Sequence, residues 1–345
     1  MSQRRILIAP LNWGLGHASR CVPLINKFRH EGHEVLLSAN GRAGKFLQQE
    51  FPDLQFIPSP DYSIRYSRIF PLWLMMFFQS PAILYSIFRE HKWLDKAISK
   101  YKIDEVISDN RYGLWSNKIR CVFITHQLMI KCPKFLFFLE PVIHRTIKWF
   151  IGNYTECWVP DVEGEGNLSG DLSHKYPLGS NTKFIGFLSR FERKDRIERP
   201  SEPPTSKILQ AKFFMCFILS GPEPQRTALE KKIIELADYF SYEVLLIQGK
   251  PEENKEEYFG EHLHVVSAIK AKDLEHIIYK TPIIFCRAGY SSLMDLKTLG
   301  KTGFLVPTPG QTEQEYLAYY LTDRAGYTVI NQRNFVNDFK NHFKK

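Results

Sequence analysis

The stretch from Ile6 to Phe28, ILIAPLNWGLGHASRCVPLINKF, predicts the fold of the first half of the chain. A short apolar run, Ile6 to Ala9, is followed by a loop that ends in Gly14-Leu15-Gly16, and apolar residues then recur at helical spacing from His17 to Phe28. This order is typical of a strand, a glycine loop and a helix. The next predicted strand is Glu34 to Ala39, so the unit is βαβ with parallel strands and a right-handed crossover.

The same alternation continues along the chain. Further strands are predicted at residues 55–57, 105–108, 121–125 and 157–159, and the pattern restarts at Phe213. Between the two runs, charge and proline replace apolar periodicity, which is typical of a linker. We therefore expect an α/β protein with two Rossmann-like, doubly wound domains, at 1–186 and 208–345, joined by a linker at 187–207. Ligands of such folds bind beyond the carboxyl ends of the strands, so an inter-domain cleft is the expected site.

Composition limits the possible partners. The 345 residues include 46 Lys and Arg against 37 Asp and Glu, a formal net charge of +9, and 14% are aromatic. Such a chain suits nucleic acid, an anionic membrane surface or a phosphorylated substrate. The basic residues are scattered and match no nucleic-acid recognition motif, so we expect no nucleic-acid partner. The first ten residues lack a signal-peptide core, and the six cysteines form no CxxC pair, so we expect a cytoplasmic protein with reduced thiols and no metal site.

The first candidate site follows the first strand. Gly14 and Gly16 begin like a dinucleotide fingerprint, but Ser19 stands at its third position and the second strand ends without a ribose-binding acid. We therefore expect no nicotinamide or flavin cofactor. His17 comes directly after the second glycine, at a helix N-terminus, where an imidazole suits a general base. The alternative is a histidine that caps the helix.

Polar residues also follow two later strands. Asp109 and Asn110 come after the fourth predicted strand, and His126 and Gln127 come after the fifth. Because the carboxyl ends of parallel strands meet at one edge, these side chains and His17 are expected to converge on one pocket. The alternative is that they only cap their loops.

The second half carries the most specific motifs. IIFCRAGYSSLMD, residues 283–295, and FLVPTPGQTEQE, residues 304–315, each contain a buried strand, a loop of small residues and a helix start. Two neighbouring helix N-termini can hold a diphosphate, and carboxylates one turn further on can bind ribose hydroxyls. The alternative for Asp295 and Glu315 is a favourable charge at the start of a helix dipole.

These motifs and the early Gly-Leu-Gly-His loop resemble those of GT-B glycosyltransferases, most of all family 28, which includes the enzyme that adds N-acetylglucosamine to the peptidoglycan lipid precursor. The resemblance implies that Asp295 binds ribose, that Ser291 and Ser292 hold the diphosphate, and that Gln314 and Glu315 contact the sugar. It makes His17 the acceptor-side base or a positioning group. The full predicted donor set is Ser220, Gly221, Arg226, Arg287, Gly289, Tyr290, Ser291, Ser292, Asp295, Gln311, Thr312, Gln314 and Glu315. The predicted acceptor set is Gly14, Gly16, Asp109, Asn110, His126 and Gln127.

One loop departs from the family. In family 28, the first loop of the C-terminal domain is glycine-rich, whereas this chain has SGPEPQR at residues 220–226. Two prolines remove backbone donors and Glu223 repels phosphate, so the diphosphate is expected to rest on the Ser291 helix and on Arg226 or Arg287. With no Asp-x-Asp motif, we expect a metal-independent enzyme without a cofactor, and the family implies inversion and a donor that is UDP-linked.

Residues 69–88, from Ile69 to Phe88, form an uncharged apolar stretch of 20 residues. Pro71, Pro81 and polar residues interrupt it, so we expect two helices broken near Pro81 rather than a membrane span. With flanking Arg and Lys, its aromatic residues suit an anionic leaflet, on the inner face of the cell membrane, or a lipid-linked or glycan acceptor. Ordinary core or interface helices are the alternative.

Three functions stay open from the sequence. The first is a glycosyltransferase with a nucleotide-sugar donor and a lipid-linked or membrane-proximal acceptor. The second is a nucleotide-sugar 2-epimerase, which needs no acceptor and leaves the apolar stretch unexplained. The third is a non-catalytic, membrane-attached scaffold that binds a nucleotide sugar.

Overall fold

The structure, a computed structural model, describes residues 3–62, 72–191, 211–221, 223–322 and 324–343, with residues 72 and 73 described by their backbone alone. The chain divides into two compact units, Met1–Ser189 and Arg190–Lys345. The first therefore ends at Ser189, three residues after the domain end predicted at residue 186. Residues 192–207 of the predicted linker lie outside the described residues.

The first unit is built on a seven-stranded sheet with the order β3-β2-β1-β4-β5-β6-β7, in which every neighbouring pair is parallel. The strands are β1 (Arg5–Pro10), β2 (Glu34–Leu37), β3 (Gln55–Phe56), β4 (Glu105–Asp109), β5 (Arg120–Ile124), β6 (Glu156–Val159) and β7 (Thr182–Phe184). The helices are α1 (Leu15–His30), α2 (Gly41–Glu50), α3 (Leu72–Tyr101), α4 (Glu140–Ile151) and α5 (Asp171–His174), with a 3₁₀ helix at Lys134–Leu139. The strand order reverses between β1 and β4, which is where such sheets bind their ligands.

Burial on both faces explains the continuous apolar runs of the central strands. Ile6 to Ala9 of β1 are fully buried. Alternate residues of a strand point to opposite faces, and Leu7 and Ala9 share one core cluster with Leu94 of α3 and Ile147 of α4. α3 and α4 therefore cover the same face of this sheet, and a parallel sheet covered by helices is the arrangement that the alternating sequence predicts.

α3 corrects one prediction. The sequence predicts a break near Pro81, but α3 is continuous through it. Proline has no N–H to donate to the carbonyl four residues earlier, here that of Phe77. The Ser80 hydroxyl donates to this carbonyl instead, at 2.7 Å. The neighbouring side chain thus satisfies the acceptor that proline leaves open. Residues 69–71 of the predicted apolar stretch lie outside the described residues.

The second unit repeats this plan in another seven-stranded sheet, with the order β10-β11-β9-β8-β12-β13-β14. Its strands are β8 (Met215–Ile218), β9 (Val244–Ile247), β10 (Glu256–Phe259), β11 (Leu263–Val266), β12 (Ile283–Cys286), β13 (Phe304–Leu305) and β14 (Thr328–Val329). Its helices are α6 (Gln225–Ile234), α7 (Ala271–Lys280), α8 (Tyr290–Thr298), α9 (Thr312–Thr322) and α10 (Phe335–His342), with a 3₁₀ helix at Ala237–Tyr239. Among the strands that the structure describes in this sheet, β10 alone is antiparallel to its neighbour. Leaving β10 aside, the order again reverses, between β8 and β12.

Candidate active site

The candidate catalytic residue lies where the first sheet reverses its strand order. Gly14 is the N-cap of α1 and has a φ of +85°. A residue with a Cβ rarely adopts this conformation, so glycine lets the chain turn from β1 into the helix within a short loop. α1 then begins at Leu15, and His17 falls in its first turn.

Asp109 is the partner of His17. It is the last residue of β4 and pairs in register with Pro10, the last residue of β1. The two strand ends bring the Asp109 carboxylate to the start of α1, where its Oδ1 lies 2.8 Å from Nδ1 of His17. A histidine held by a carboxylate at one nitrogen can act as a base at the other.

Arg20 holds the same carboxylate from one turn further along α1. Its Nε donates to Asp109 Oδ2 at 2.5 Å, and its Nη2 donates to Oδ1. Both side chains are buried. Burial by itself would raise the pKa of Asp109, but the charges of Arg20 and then His17 outweigh it and bring that pKa to about 2. Asp109 is therefore an anion throughout the range in which enzymes work.

Cys21 is the remaining titratable group beside Asp109. Its Sγ lies 3.8 Å from Asp109 Oδ2. Burial, reinforced by the charge of Asp109, raises the pKa of the Cys21 thiol well above its ordinary value. The thiol is therefore not a nucleophile at neutral pH.

His126 joins the cluster through Arg20. The ring lies just after β5, is buried, and has its Nδ1 3.1 Å from Nη1 of Arg20. Gln127 lies beside it, and its backbone N–H donates to the Thr125 hydroxyl at 3.0 Å. The structure thus brings His17, Asp109 and His126 together around Arg20.

Sequence reasoning missed Arg20, although a signal was present. It stands three residues after His17 and next to Cys21, on the face of α1 that is otherwise apolar. A charged residue on the buried face of a helix needs a buried partner. The Asp that ends a neighbouring strand is the natural candidate.

Asn110, the next residue after Asp109, carries an unusual backbone. Its φ is +56°, a conformation that asparagine tolerates better than most residues. Its side-chain Oδ1 is buried and has no hydrogen-bond partner among the residues that the structure describes. A buried acceptor without a partner costs free energy, so this oxygen is suited to receive a hydroxyl.

In the second unit, the predicted donor residues cluster at three neighbouring strand ends. β8, β12 and β13 are adjacent and parallel, so their carboxyl ends lie along one edge of the sheet. Ser220 and Gly221 follow β8, Gly289 is the N-cap of α8, and Gln311 precedes α9. Tyr290, Ser291 and Ser292 form the first turn of α8, and Thr312 begins α9. The amides of both helix starts therefore face this edge.

The three candidate sugar and ribose ligands already contact protein groups. Asp295 is buried in α8 and accepts a hydrogen bond from Nε of Arg190 at 2.9 Å. Gln314 Oε1 accepts from the Thr308 amide at 2.9 Å, and Glu315 Oε1 accepts from the Gly310 amide at 2.8 Å. The two α9 side chains therefore brace the loop that precedes their own helix.

The positions of Arg226 and Arg287 argue against direct contact with a diphosphate. Arg226 is 2% exposed and Arg287 is 1% exposed. Arg226 forms ion pairs with both Glu223 and Glu230. Arg287 donates hydrogen bonds to Gln332 Oε1 at 2.5 Å and to the Gln225 carbonyl at 2.8 Å. Burial, and then the charge of Arg226, lower the pKa of Arg287 to about 9. Both guanidiniums bind other groups of the second unit, including residues of α6, which the sequence pattern did not indicate.

His262 and His264 lie two residues apart and both contact the carboxylate of Glu243. His262 Nδ1 lies 3.1 Å from Glu243 Oε1, and His264 bonds the other oxygen of the same carboxylate. Across the described residues, no group of three or more His, Cys, Asp or Glu side chains could hold a metal ion.

The first unit also exposes many large apolar side chains, which we call the exposed apolar set. Phe77 and Phe78 of α3 are 70% and 68% exposed, and Trp149 of α4 is 67% exposed. The other members are Leu84, Tyr85, Phe88, Phe135, Phe137, Phe138 and Val142. Within the part of the chain that is described, no helix is both long enough and apolar enough to cross a membrane.

Comparisons with known proteins agree with this architecture. The family model of the glycosyltransferase family 28 C-terminal domain matches residues 216–341. No curated protein sequence matches the chain. Among solved structures, the glycotransferase of kitacinnamycin has a TM-score of 0.62 at 11% identity, over 97% of this chain and 88% of that one. The glycosyltransferase SsfS6 of Streptomyces sp. SF2575, complexed with thymidine diphosphate, has a TM-score of 0.58 at 14% identity, over 95% and 88%.

A third structure belongs to another enzyme class. The putative UDP-N-acetylglucosamine 2-epimerase of Listeria monocytogenes has a TM-score of 0.59 at 11% identity, over 99% of this chain and 88% of that one. At these identities the solved structures show only that the fold is shared. The family match additionally identifies the kind of domain that the second unit contains. Residues 216–341 are therefore a family 28 glycosyltransferase C-terminal domain, which indicates a nucleotide-sugar-dependent glycosyltransferase, in a chain that has the GT-B fold.

Proposed function

We propose that this enzyme transfers a hexose or N-acetylhexosamine from a nucleotide diphosphate sugar to a hydroxyl of a lipid-linked or membrane-proximal acceptor. The pairing of His17 with ionised Asp109 is the observation that carries the chemistry. It leaves one imidazole nitrogen available at the point where the first sheet reverses its strand order.

The proposed step is a single displacement. The acceptor hydroxyl forms a bond to the anomeric carbon while the bond from that carbon to the diphosphate breaks, which inverts the anomeric centre. Nε2 of His17 takes the hydroxyl proton, and Asp109 stabilises the imidazolium that results. Both electrons of the broken bond leave with the diphosphate.

The leaving charge needs donors that are already oriented. We assign this role to the N-terminal amides of α8 and the hydroxyls of Ser291 and Ser292, since a helix start favours negative charge. We assign the ribose to Asp295 and the sugar hydroxyls to Gln314 and Glu315. A uridine base is the expected one, from the resemblance to family 28.

Two observations support an acceptor that carries lipid. The exposed apolar set lies in the first unit, the unit of His17. Cations accompany it on α3, where Lys92 Nζ lies 4.4 Å from the centre of the Phe88 ring and the Arg89 guanidinium lies 5.9 Å from that of Tyr85. Aromatic rings beside Lys and Arg suit the boundary between acyl chains and anionic headgroups.

The experiment is a transfer assay with labelled UDP- and TDP-sugars and lipid-linked acceptors in vesicles. We compare the wild type with His17→Gln and with His30→Gln, which changes an exposed histidine at the other end of the same helix. Loss of the base is expected to lower kcat by about 10²–10⁴-fold in His17→Gln alone. Transfer by His17→Gln within twofold of the wild type would refute the assigned base.

The same assay separates the alternative functions. Epimerised sugar formed without any acceptor would point to a 2-epimerase, the class of one structural neighbour. Binding of a nucleotide sugar with no turnover for any acceptor would point to a scaffold.

A further inference from the structure

Arg20 contacts three ionisable side chains at once. Its guanidinium donates to both oxygens of Asp109, and it lies 2.9 Å from His17 Nδ1 through Nη2 and 3.1 Å from His126 Nδ1 through Nη1. A guanidinium has donors and no acceptor, and it stays protonated in proteins. A side-chain atom close to Arg20 must therefore either accept a hydrogen bond from it or, like Arg20, donate to the same oxygen of Asp109.

His17 shares an acceptor with Arg20. Its Nδ1 lies 2.8 Å from Asp109 Oδ1, the oxygen that Arg20 Nη2 also contacts. Asp109 is an anion, and its oxygen repels an unprotonated ring nitrogen but accepts an N–H. One carboxylate oxygen has room for two donors. The proton of neutral His17 therefore belongs on Nδ1, and Nε2 carries the lone pair.

His126 is in the opposite situation. Its Nδ1 lies 3.1 Å from Nη1 of Arg20 and faces an N–H of the guanidinium. Two donors that face each other repel, so Nδ1 of His126 must be the acceptor. Neutral His126 then carries its proton on Nε2, which lies 3.5 Å from the side-chain amide of Gln127, and that amide accepts the proton when it presents Oε1 rather than its NH₂ to the ring.

We propose that Arg20 is a positioning residue that gives the two histidines opposite tautomers. His17 is left with a bare Nε2 that accepts a proton, while His126 is left with an Nε2–H that donates. This inference rests on the proposed function for its consequence, since the bare Nε2 of His17 is the proposed base. The tautomers themselves are properties of the folded chain and need no substrate.

Nuclear magnetic resonance tests the tautomers directly. The full-length protein is labelled with ¹⁵N at histidine, and long-range ¹H–¹⁵N spectra distinguish a protonated ring nitrogen from a bare one. His17→Gln and His126→Gln variants assign the two rings, and a pH titration identifies spectra of neutral rings. We expect a protonated Nδ1 in His17 and a protonated Nε2 in His126. A bare Nδ1 in His17, which the contact with Arg20 Nη2 would permit, would overturn the proposal, as would a protonated Nδ1 in neutral His126.

A conservative variant tests whether Arg20 is the cause. Arg20→Lys keeps a cation near Asp109 but replaces the planar fork by a single ammonium. We expect His17 to keep its Nδ1 proton and His126 to lose its preference for Nε2–H. Arg111→Lys is the matched control, because Arg111 is equally buried and donates to a carboxylate, Glu90, at 2.6 Å. Its other hydrogen bonds go to Ser59 and to the carbonyls of Ser38 and Pro60 rather than to a histidine. Spectra of Arg20→Lys identical to those of Arg111→Lys would show that Arg20 does not select the tautomers.

Activity then distinguishes the two proposals. If Arg20 positions the base, Arg20→Lys lowers kcat by about tenfold with KM little changed, since a slightly misplaced catalytic group costs rate more than binding. Correct tautomers in a protein whose His17→Gln variant transfers sugar normally would refute the proposed base and leave the tautomer assignment intact. Incorrect tautomers in a protein whose His17→Gln variant is inactive would refute the tautomer assignment and leave His17 as the proposed base.

Discussion

Asp109 connects the backbone of the first unit with its chemistry. It is the last residue of β4, is fully buried, and accepts hydrogen bonds from His17, from two nitrogens of Arg20 and from the Cys21 thiol. A buried carboxylate is tolerated when its lone pairs are filled and its charge is matched. Here the groups that satisfy Asp109 are also the groups that would prepare His17 as a base.

The first prediction concerns Asp109→Asn. The amide places N–H groups against the donors of Arg20 and leaves the guanidinium buried without an anion, so we expect the free energy of unfolding to fall by about 3 kcal/mol at neutral pH. Urea unfolding measures it. Asp53→Asn is the control, since Asp53 pairs with Arg29 on the surface and its loss is expected to cost under about 1 kcal/mol.

The stability difference between the wild type and Asp109→Asn is expected to depend on pH with a definite sign. Folding lowers the pKa of Asp109 from its ordinary 3.8 to about 2, so ionised Asp109 stabilises the folded state above about pH 4. This contribution is lost as the pH falls towards 2. The difference in unfolding free energy between wild type and Asp109→Asn should therefore be constant near neutrality and shrink between about pH 4 and 2. A gap that widens on acidification would contradict the assignment.

At the scale of single residues, the sequence was informative where a residue type and a strand end coincide. His17, Asp109 and His126 could be grouped because each follows a predicted parallel strand, and the structure places them together. The arginines could not be assigned in this way. Arg20, Arg226 and Arg287 are buried by tertiary contacts between residues up to 106 positions apart in the chain, and a sequence pattern shows neither burial nor partner.

At the scale of elements, α3 combines two different halves. Its C-terminal half is anchored by buried Leu94 and by Glu90, whose carboxylate accepts from Arg111 at 2.6 Å. Its N-terminal half exposes Phe77 and Phe78. Singly exposed apolar residues are ordinary, whereas a contiguous apolar patch marks an interaction surface, and the rings of Phe77 and Phe78 lie 5.8 Å apart. We therefore expect this end of α3 to contact a partner.

The second prediction tests that surface. We expect Phe77→Ser combined with Phe78→Ser to weaken binding to anionic phosphatidylglycerol vesicles by at least tenfold, because burying an aromatic side chain contributes about 1.5–3 kcal/mol. Co-sedimentation measures the partition. Tyr319→Ser is the control, since Tyr319 is 77% exposed but lies in the second unit. Equal binding by the wild type and the double variant would remove these residues from any membrane contact.

The third prediction tests the continuity of α3. If the helix runs through Pro81, Pro81→Ala restores the hydrogen bond to the Phe77 carbonyl and should raise the free energy of unfolding by about 1–3 kcal/mol, as measured by urea unfolding. If the helix were broken there, proline would suit the break and its removal would lower stability. Ser80→Ala is the companion variant, and we expect it to destabilise the protein because it removes the hydrogen bond to Phe77.

Elements with strong periodicity could be predicted, as could the short edge strand β3, whereas the edge strands β7 and β10 could not. The sequence analysis indicates the central strands β1, β4, β5 and β12, which are buried and apolar. It missed β7 and β10, which lie at sheet edges and carry few buried residues. An edge strand that is mostly exposed has no apolar alternation to detect, so its pairing depends on the neighbouring strand.

At the scale of the whole molecule, the predicted doubly wound α/β architecture is confirmed in both units. Alternating strands and helices with right-handed crossovers leave few topologies, and both sheets reverse their order next to their first strand. The strand order therefore explains why the candidate residues of the first unit follow β1, β4 and β5. In the second unit they follow β8, β12 and β13.

The last prediction tests donor binding by the complete chain. A nucleoside diphosphate that binds the folded but not the unfolded state should raise the protein's free energy of unfolding. The expected increase is about 2.7 kcal/mol when the ligand concentration is 100 times the dissociation constant. We expect UDP to stabilise the wild type more than 2′-deoxy-UDP does, because the proposal gives a ribose hydroxyl to Asp295. The preference should disappear in Asp295→Asn and persist in Asp338→Asn, which alters a carboxylate on α10.

Each variant is compared with its own ligand-free form, since Asp295→Asn also removes the contact with Arg190 and lowers the baseline stability. Calorimetric unfolding with a series of ligand concentrations separates this baseline from affinity. An undiminished preference for UDP in Asp295→Asn would assign the ribose to another residue while leaving the donor unit in place. Stabilisation by none of the nucleotides would contradict the proposed donor site as a whole, because the helix starts of α8 and α9 would then bind no diphosphate.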